Sequence, residues 1–168
     1  MQIEYGGNLD DPSQPENVEV GASRWQLTGS VSPADAGRVL SRHLVEGPAL
    51  LGNHGAAVPE EKAMQGVEAS LALVRPECVE FSLEPPHPGN DRPRPRASFD
   101  LDGEEYDLAL TDHLVAPRLV AAGIGAYGFA DLGLHVDSDV LLTVSLAEAR
   151  DEWCTKLVAA VLLLPMGS

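Results

Sequence analysis

Residues 96–113, with the sequence RASFDLDGEEYDLALTDH, contain the feature that most constrains the fold of this chain. The dipeptide Asp102-Gly103 is typical of a two-residue type I′ turn, in which both central residues adopt positive φ angles. Apolar residues alternate with polar ones on both sides of the turn, which is the period of a half-buried strand. The sequence therefore predicts an antiparallel hairpin. Its apolar face consists of Phe99, Leu101, Tyr106, Leu108 and Leu110.

Other segments of residues 67–168 also have the composition of strands. SLALVRPECVEFSL (70–83) predicts a strand that alternates or bends at Pro76, and VLLTVSLAEA and WCTKLVAAVLLL predict two more. The segment HLVAPRLVAAG (113–123) predicts a helix if Pro117 lies in its first turn. The proline-rich segment 84–95 predicts an exposed loop. This order indicates a mainly β meander or small barrel with one helix before the last two strands.

The first third of the chain has a different character. Residues 1–23 lack periodicity and predict an extended lead-in, and RWQLTGSV (24–31) predicts a short strand. Ser32 and Pro33 are typical of a helix start, so we expect a helix over residues 33–46. We therefore divide the chain into residues 1–66, with the lead-in, strand and helix, and residues 67–168, the β domain.

Charge and cysteine content exclude several classes of protein. The formal net charge is −15, from 26 acidic and 11 basic residues, so the surface as a whole repels polyanions. Two cysteines in apolar runs, Cys78 and Cys154, predict buried free thiols in a reducing compartment. No signal sequence is evident, and the longest apolar run (157–165) is shorter than the roughly 18–20 residues of a membrane span. We predict a cytoplasmic protein with no membrane partner.

Two motifs invite a catalytic interpretation. GIGAYG (123–128) has the spacing of a dinucleotide-binding loop, but a helical segment precedes it where a strand is required, so Gly123 more simply ends that helix. Asp112 with His113 offers a carboxylate and an imidazole for a metal or acid-base site, but no metal-ligand spacing accompanies them. The alternative is a purely structural role, in which Thr111 and Asp112 form a turn that caps the following helix. We predict no cofactor and no metal.

The basic residues of NDRPRPRAS form the single concentration of positive charge in the sequence: Arg92, Arg94 and Arg96. Such a loop contacts phosphates in some proteins and is merely solvated in others. Trp25 and Trp153 also allow two interpretations. Each could stack on a nucleic-acid base or pack in the hydrophobic core.

Several ordered blocks of residues 13–163 resemble the dual OB-fold domain family, which comprises nucleic-acid-binding modules of prokaryotes often associated with defence or mobile-element systems. The blocks are Gln14–Asn17, Trp25, Arg75–Pro76, Arg96–Asp112, Thr143–Leu146 and Lys156–Val161. The resemblance is to the C-terminal portion of the family and implies that residues 1–66 include a remnant or linker of a first OB domain. It implies an OB-like antiparallel β-barrel with an N-terminal strand and helix packed on it.

The function implied is a non-enzymatic nucleic-acid-recognition or accessory module. Candidate contact residues are Arg75, Arg92, Arg94, Arg96, Tyr106, Asp112 and Lys156. An alternative is an acidic protein-interaction subunit, an adaptor or nucleic-acid mimic, which binds a basic protein partner or forms a homo-oligomer or part of a larger complex. A third hypothesis is a small metal-dependent hydrolase that uses Asp112 and His113.

Overall fold

The computed structural model describes residues 5–8, 18–20, 29–65, 69–89, 91–135 and 138–165. Two short strands near the N-terminus pair antiparallel with each other, and the other strands in these ranges belong to one eight-stranded sheet. The elements are β1 (Tyr5–Asn8), β2 (Val18–Val20), α1 (Pro33–Leu40), β3 (Ala57–Pro59), α2 (Glu60–Met64), β4 (Leu71–Val74), β5 (Val79–Glu84), β6 (Arg94–Leu101), β7 (Glu104–Leu110), α3 (Ala116–Ala122), β8 (Gly125–Tyr127), β9 (Ser138–Leu146) and β10 (Trp153–Pro165).

The order of strands in the main sheet is β4-β9-β10-β7-β6-β5-β8, and β3 pairs with β10 outside this path. A meander (β5, β6, β7) is followed by α3 and then by the β9–β10 hairpin, whose second strand pairs parallel with β7. This is the strand order of an OB fold, which confirms the mainly β, OB-like prediction. The sheet is mixed rather than wholly antiparallel. Among the described strands its path ends at β4 and β8 and does not close into a barrel.

The β6–β7 hairpin forms as the sequence predicts. Asp102 and Gly103 have φ angles of 49° and 82°, which is the type I′ geometry. Phe99 lies opposite Tyr106 in the register, and their stacked rings have centroids 5.4 Å apart. The apolar face of the hairpin is buried in the core, as expected.

Helix α1 begins at the predicted N-cap, where the Ser32 hydroxyl accepts a hydrogen bond from the Asp35 N–H at 3.1 Å. It ends at Leu40 and not near residue 46, because the chain passes through a single 3₁₀ turn and becomes extended at Leu44. The Val45 N–H then bonds to the Leu73 carbonyl of β4. Pairing with the sheet therefore replaces the last helical turn.

Helix α3 has Pro117 in its first turn and ends at Gly123, whose φ is 96°, as the sequence indicates. The glycine-rich segment that follows forms the edge strand β8, which the sequence did not indicate. The predicted strand over 70–83 is two strands separated around Pro76, and they pair with different partners, β9 and β6. Residues 24–28 of the predicted N-terminal strand lie outside the described residues, and 29–31 are not in a strand.

The core lies on one side of the main sheet and includes residues from both halves of the chain. Leu50 and Val58, from the segment before β4, are fully buried with Phe81, Leu108 and Val144. Helix α1 contacts β10, and Gly37 lies near Leu164. The predicted boundary between residues 66 and 67 stays a prediction.

Neither cysteine forms a disulfide, and only Cys154 is buried. Cys78 is exposed and its thiol donates to the Asp100 carboxylate at 2.8 Å, so the prediction of two buried thiols is wrong for this residue. That hydrogen bond, more than partial burial, raises the pKa of Cys78. Within the described ranges, no helix is long and apolar enough to cross a membrane.

The backbone angles predict opposite effects for two glycine substitutions. Gly103→Ala forces an L-residue into a positive φ with open space around it, so we expect a loss of about 1 kcal/mol in the free energy of unfolding. Gly37→Ala adds a methyl group at ordinary contact distance inside α1, so we expect a gain of about 0.5–1 kcal/mol. Urea unfolding of both variants measures these changes, and a loss for Gly37→Ala would contradict the helix as described.

Candidate nucleic-acid interface

The outward face of β6 carries two of the predicted arginines. Residues of a strand point alternately to opposite sides, so Ala97 and Phe99 enter the core while Arg94, Arg96 and Ser98 lie on the other face. On β7 the outward positions include Asp107. The loop of residues 85–93 precedes β6 and carries Arg92, which is exposed. These three arginines, Arg92, Arg94 and Arg96, are called the arginine strip below.

Arg96 is held by its cross-strand neighbour. Its guanidinium contacts the Asp107 carboxylate twice, Nε to Oδ1 at 3.1 Å and Nη2 to Oδ2 at 2.7 Å, and Nη2 also donates to the Asp107 carbonyl. Ser98 donates weakly to the same carboxylate. This two-point geometry matches guanidinium to carboxylate, and a phosphate presents oxygens in a similar arrangement.

Arg94 also has partners on its own surface. Nη2 lies 2.8 Å from Glu84 Oε2, Nε donates to the Pro85 carbonyl, and Nη1 lies 2.5 Å from His87 Nε2. The Arg94 and Glu84 side chains are both about one third exposed. Arg94 therefore ties the start of the proline-rich loop to β6, and it leaves part of its guanidinium open to solvent.

Arg75 lies apart from the arginine strip. It follows β4, and its guanidinium makes two bonds of 3.0 and 2.7 Å to the carboxylate of Asp139 at the start of β9. The pair joins neighbouring strands at one end of the sheet. The structure thus places Arg94 and Arg96 on one face of β6, with Arg92 in the loop before that strand, and it places Arg75 elsewhere.

Tyr106 lies in the interior, with 3% of its surface exposed. Its hydroxyl donates to the Pro48 carbonyl and accepts a hydrogen bond from the Leu50 N–H at 3.1 Å. Burial raises the pKa of Tyr106 and keeps the phenol neutral. The side chain fixes the segment around residues 48–50 to the sheet and presents no surface for a ligand.

Lys156 is fully buried on β10. Its ammonium donates to the Asn53 carbonyl at 2.8 Å and to Asn53 Oδ1 at 2.7 Å, and it lies 5.6 Å from the centre of the Tyr106 ring. Burial, and secondly the charge of Lys62, lowers the pKa of Lys156 from 10.5 to about 8. The residue is an internal cation that secures the loop at Asn53, where a surface contact had been predicted.

Asp112 is buried between the end of β7, the start of α3 and the middle of β10. Oδ1 accepts from the Leu114 and Val115 N–H groups at 2.8 and 2.6 Å, and Oδ2 accepts from the Val161 N–H at 3.0 Å. Asp112 therefore closes the turn that leads into α3, as the non-catalytic alternative predicted, although the helix itself begins after Val115 and has no side-chain cap. Because its oxygens serve three backbone donors, Asp112 acts as a structural acceptor in this conformation.

No group of three or more His, Cys, Asp and Glu side chains that suits a metal ion occurs among the described residues. His113, the partner of Asp112 in the hydrolase hypothesis, is exposed. Of the two tryptophans, Trp25 lies outside the described residues, and Trp153 is 49% exposed and so is not a core anchor; it lines an open cleft at the start of β10. In the sequence, Trp153 follows Arg150, Asp151 and Glu152. These residues alone do not show whether Trp153 belongs to a turn or to a strand.

The strand order is that of an OB domain, a fold in which the face of strands 2 and 3 and the adjoining loops bind oligonucleotides or oligosaccharides. A family model for the dual OB-containing domain matches residues 1–161, so the chain belongs to that family. The match begins before residue 13, where the sequence resemblance started, and includes nearly the whole chain. None of the curated proteins and none of the solved structures matches the chain.

Removing the Asp112 carboxylate leaves three backbone N–H groups without their acceptor. For Asp112→Ala we expect the free energy of unfolding to fall by about 3 kcal/mol. Asp112→Asn keeps one acceptor oxygen and turns an amide toward the Val161 N–H, so we expect about half of that loss. Chemical unfolding measures both.

Asp131 offers a matched control, because it accepts a single exposed hydrogen bond from the Gly128 N–H. We expect Asp131→Ala to cost below about 1 kcal/mol. Equal losses at both positions would contradict the structural role of Asp112.

The lowered pKa of Lys156 predicts how stability depends on pH. Between pH 8 and 10.5 the unfolded chain binds a proton that the folded chain has released, so stability increases with pH in this window. From pH 8 to pH 10 the contribution is about 2 kcal/mol. Urea unfolding should show this rise relative to the variant Lys156→Met, which lacks the ammonium group. Parallel pH profiles for the two proteins would contradict the prediction.

Proposed function

We propose that this chain is a non-enzymatic module that binds nucleic acid across the outward face of β6 and β7 and the adjoining loop. The observation that carries the proposal is the placement of Arg94 and Arg96 on the outward face of β6, with Arg92 exposed in the loop before it, in the region through which OB domains bind their ligands. Membership of the dual OB-containing domain family supports the same role. We extend this proposal to an accessory role in a prokaryotic defence or mobile-element system in the cytoplasm. This extension is based on the sequence resemblance.

The carboxylates beside the arginine strip set the energetics of such binding. Exposed ion pairs are worth about 0–1 kcal/mol, so exchanging Glu84 or Asp107 for a phosphate costs little at Arg94 and Arg96. The net charge of −15 opposes the approach of a polyanion to any other part of the surface. Binding is therefore local, modest in affinity and sensitive to salt.

The aromatic residues of this part of the sheet do not provide a stacking surface. Phe99 and Tyr106 both face the core, and Phe81 on β5 does the same. Base-stacking on exposed aromatics usually contributes strongly to single-strand binding by OB domains. Contacts through the arginine strip would instead be made with phosphates, and we expect little dependence on base sequence.

Fluorescence anisotropy with labelled single-stranded and duplex DNA and RNA tests this function. For a single strand held by three arginines, we expect the logarithm of the association constant to fall with the logarithm of salt concentration at a slope of about −2. Arg92/Arg94/Arg96→Ala should abolish binding. Absence of binding to all four nucleic acids at low salt would refute the proposal.

The control variant Arg38/Arg42/Lys62→Ala changes the net charge by the same amount at exposed positions away from the arginine strip. It should retain most of the affinity. Equal losses in the two triple variants would mean that total charge, and not this face, determines the signal.

A second candidate function is favoured by the pairing of the arginines. Arg75, Arg94 and Arg96 each contact a carboxylate, so their charges are partly neutralised and the acidic groups dominate the surface. An acidic surface of this kind suits a basic protein partner, as an adaptor or nucleic-acid mimic does. Nucleic-acid binding and binding to a basic protein are separable by experiment, since only the first depends on the arginine strip.

A further inference from the structure

An open cleft of about 480 Å³ lies where β3 and α2 meet the turn between β9 and β10. Its apolar lining is unusually accessible, since Trp153 is 49% and Met64 48% exposed. Pro59 completes the apolar part, and Glu60, Glu61 and Glu152 supply the rest of the lining. This set of residues is called the Trp153 cleft. Tryptophan is among the residues that most often dominate binding energy at protein interfaces, and methionine adapts its shape to varied partners.

The walls of the Trp153 cleft are fastened to each other. Trp153 pairs with Pro59 in the β3–β10 register, and the Glu60 N–H donates to the Glu152 carbonyl at 2.8 Å. Arg150 and Trp153 exchange backbone hydrogen bonds across the tight turn between β9 and β10. The cleft therefore exists before any partner arrives, which lowers the entropic cost of binding.

The charge of the Trp153 cleft is of one sign. All three ionisable side chains that line it are glutamates, and Glu61 and Glu152 are exposed. The nearby cation Lys62 donates to the Gly52 carbonyl at 2.7 Å, and it is not part of the lining. Three carboxylates beside an indole ring repel phosphates and attract cations. An arginine or lysine side chain suits both the carboxylates and the indole ring. It binds carboxylates through its charge and the face of tryptophan through cation–π attraction.

We propose that the Trp153 cleft docks a basic segment of a protein partner, in which an arginine or lysine lies next to an aliphatic side chain. The cationic group contacts the three glutamates and the face of Trp153, and the aliphatic group covers Met64 and Pro59. This inference rests on the second function proposed above, for which it names the binding site. It does not depend on the arginine strip, which has the opposite charge preference.

Proton–nitrogen NMR of the full chain tests the proposal with a defined probe, the peptide acetyl-Gly-Arg-Leu-Arg-Gly-amide. The chain has two tryptophans, so two indole N–H signals are expected, and Trp153→Phe assigns the one from the cleft. Titration should shift this signal and the amide signals of residues 60–64. The peptide acetyl-Gly-Glu-Leu-Glu-Gly-amide should shift neither. Absence of a shift at millimolar concentrations of the basic peptide would overturn the proposal.

A pair of charge-matched variants locates the binding. Glu60/Glu61/Glu152→Gln should weaken the affinity for the basic peptide by about tenfold, because three attractive charges are lost. Glu77/Glu80/Glu105→Gln makes the same change in net charge at exposed positions outside the cleft and should leave the affinity within about twofold. Equal weakening in both variants would overturn the cleft as the site.

The same titration distinguishes two negative results: that the Trp153 cleft is not the binding site, and that the protein does not bind a basic partner. If the basic peptide shifts amide signals elsewhere and leaves Trp153 unchanged, the Trp153 cleft is refuted while a basic partner is retained. If it shifts no signal of the protein, both are refuted for this peptide chemistry. Neither result bears on nucleic-acid binding, which the anisotropy experiment measures on a different face.

Discussion

The parallel contact between β7 and β10 joins the two halves of the main sheet, and the architecture depends on it. Its register contains only Leu157 with Ala109 and Val158 with Leu110. The Thr111 N–H extends it by bonding to the Val158 carbonyl at 2.9 Å. The register of β10 shifts next to Val158. Beyond this shift, the Asp112 carboxylate replaces a backbone acceptor and accepts a hydrogen bond from the Val161 N–H. A buried side chain thus continues a ladder that the backbone alone would have ended.

Two further buried polar groups attach the segment before β4 to this sheet. Tyr106 bonds to the backbone at Pro48 and Leu50, and Lys156 bonds to Asn53. Such groups are costly to bury and are retained where their hydrogen bonds are satisfied. Tyr106, Lys156 and Asp112 were all predicted from the sequence as ligand contacts. Residue type indicated that they were important, but it did not distinguish a polar group that meets a ligand from one that meets the backbone of its own fold.

The surface contains two regions with opposite charge preferences. Arg94 and Arg96 of the arginine strip lie on the outward face of β6 and form ion pairs with Glu84 and Asp107, and Arg92 lies in the loop before that strand. The Trp153 cleft lies beside β3 and α2 and presents only carboxylates around an apolar lining. Under the functions proposed above, the arginine strip would contact a polyanion and the Trp153 cleft a basic protein.

Elements with local causes could be predicted from the sequence. They are the Asp102-Gly103 turn, the alternation along β6 and β7, the cap at Ser32 and the end of α3 at Gly123, which all follow from the preferences of a few neighbouring residues. The folded chain was needed to show which strands meet in parallel, that Asp112 and Lys156 are buried, and that Trp153 is exposed beside three glutamates. Those outcomes depend on contacts between residues distant in sequence, such as Asn53 with Lys156, and no local pattern encodes which distant backbone group will satisfy a given side chain.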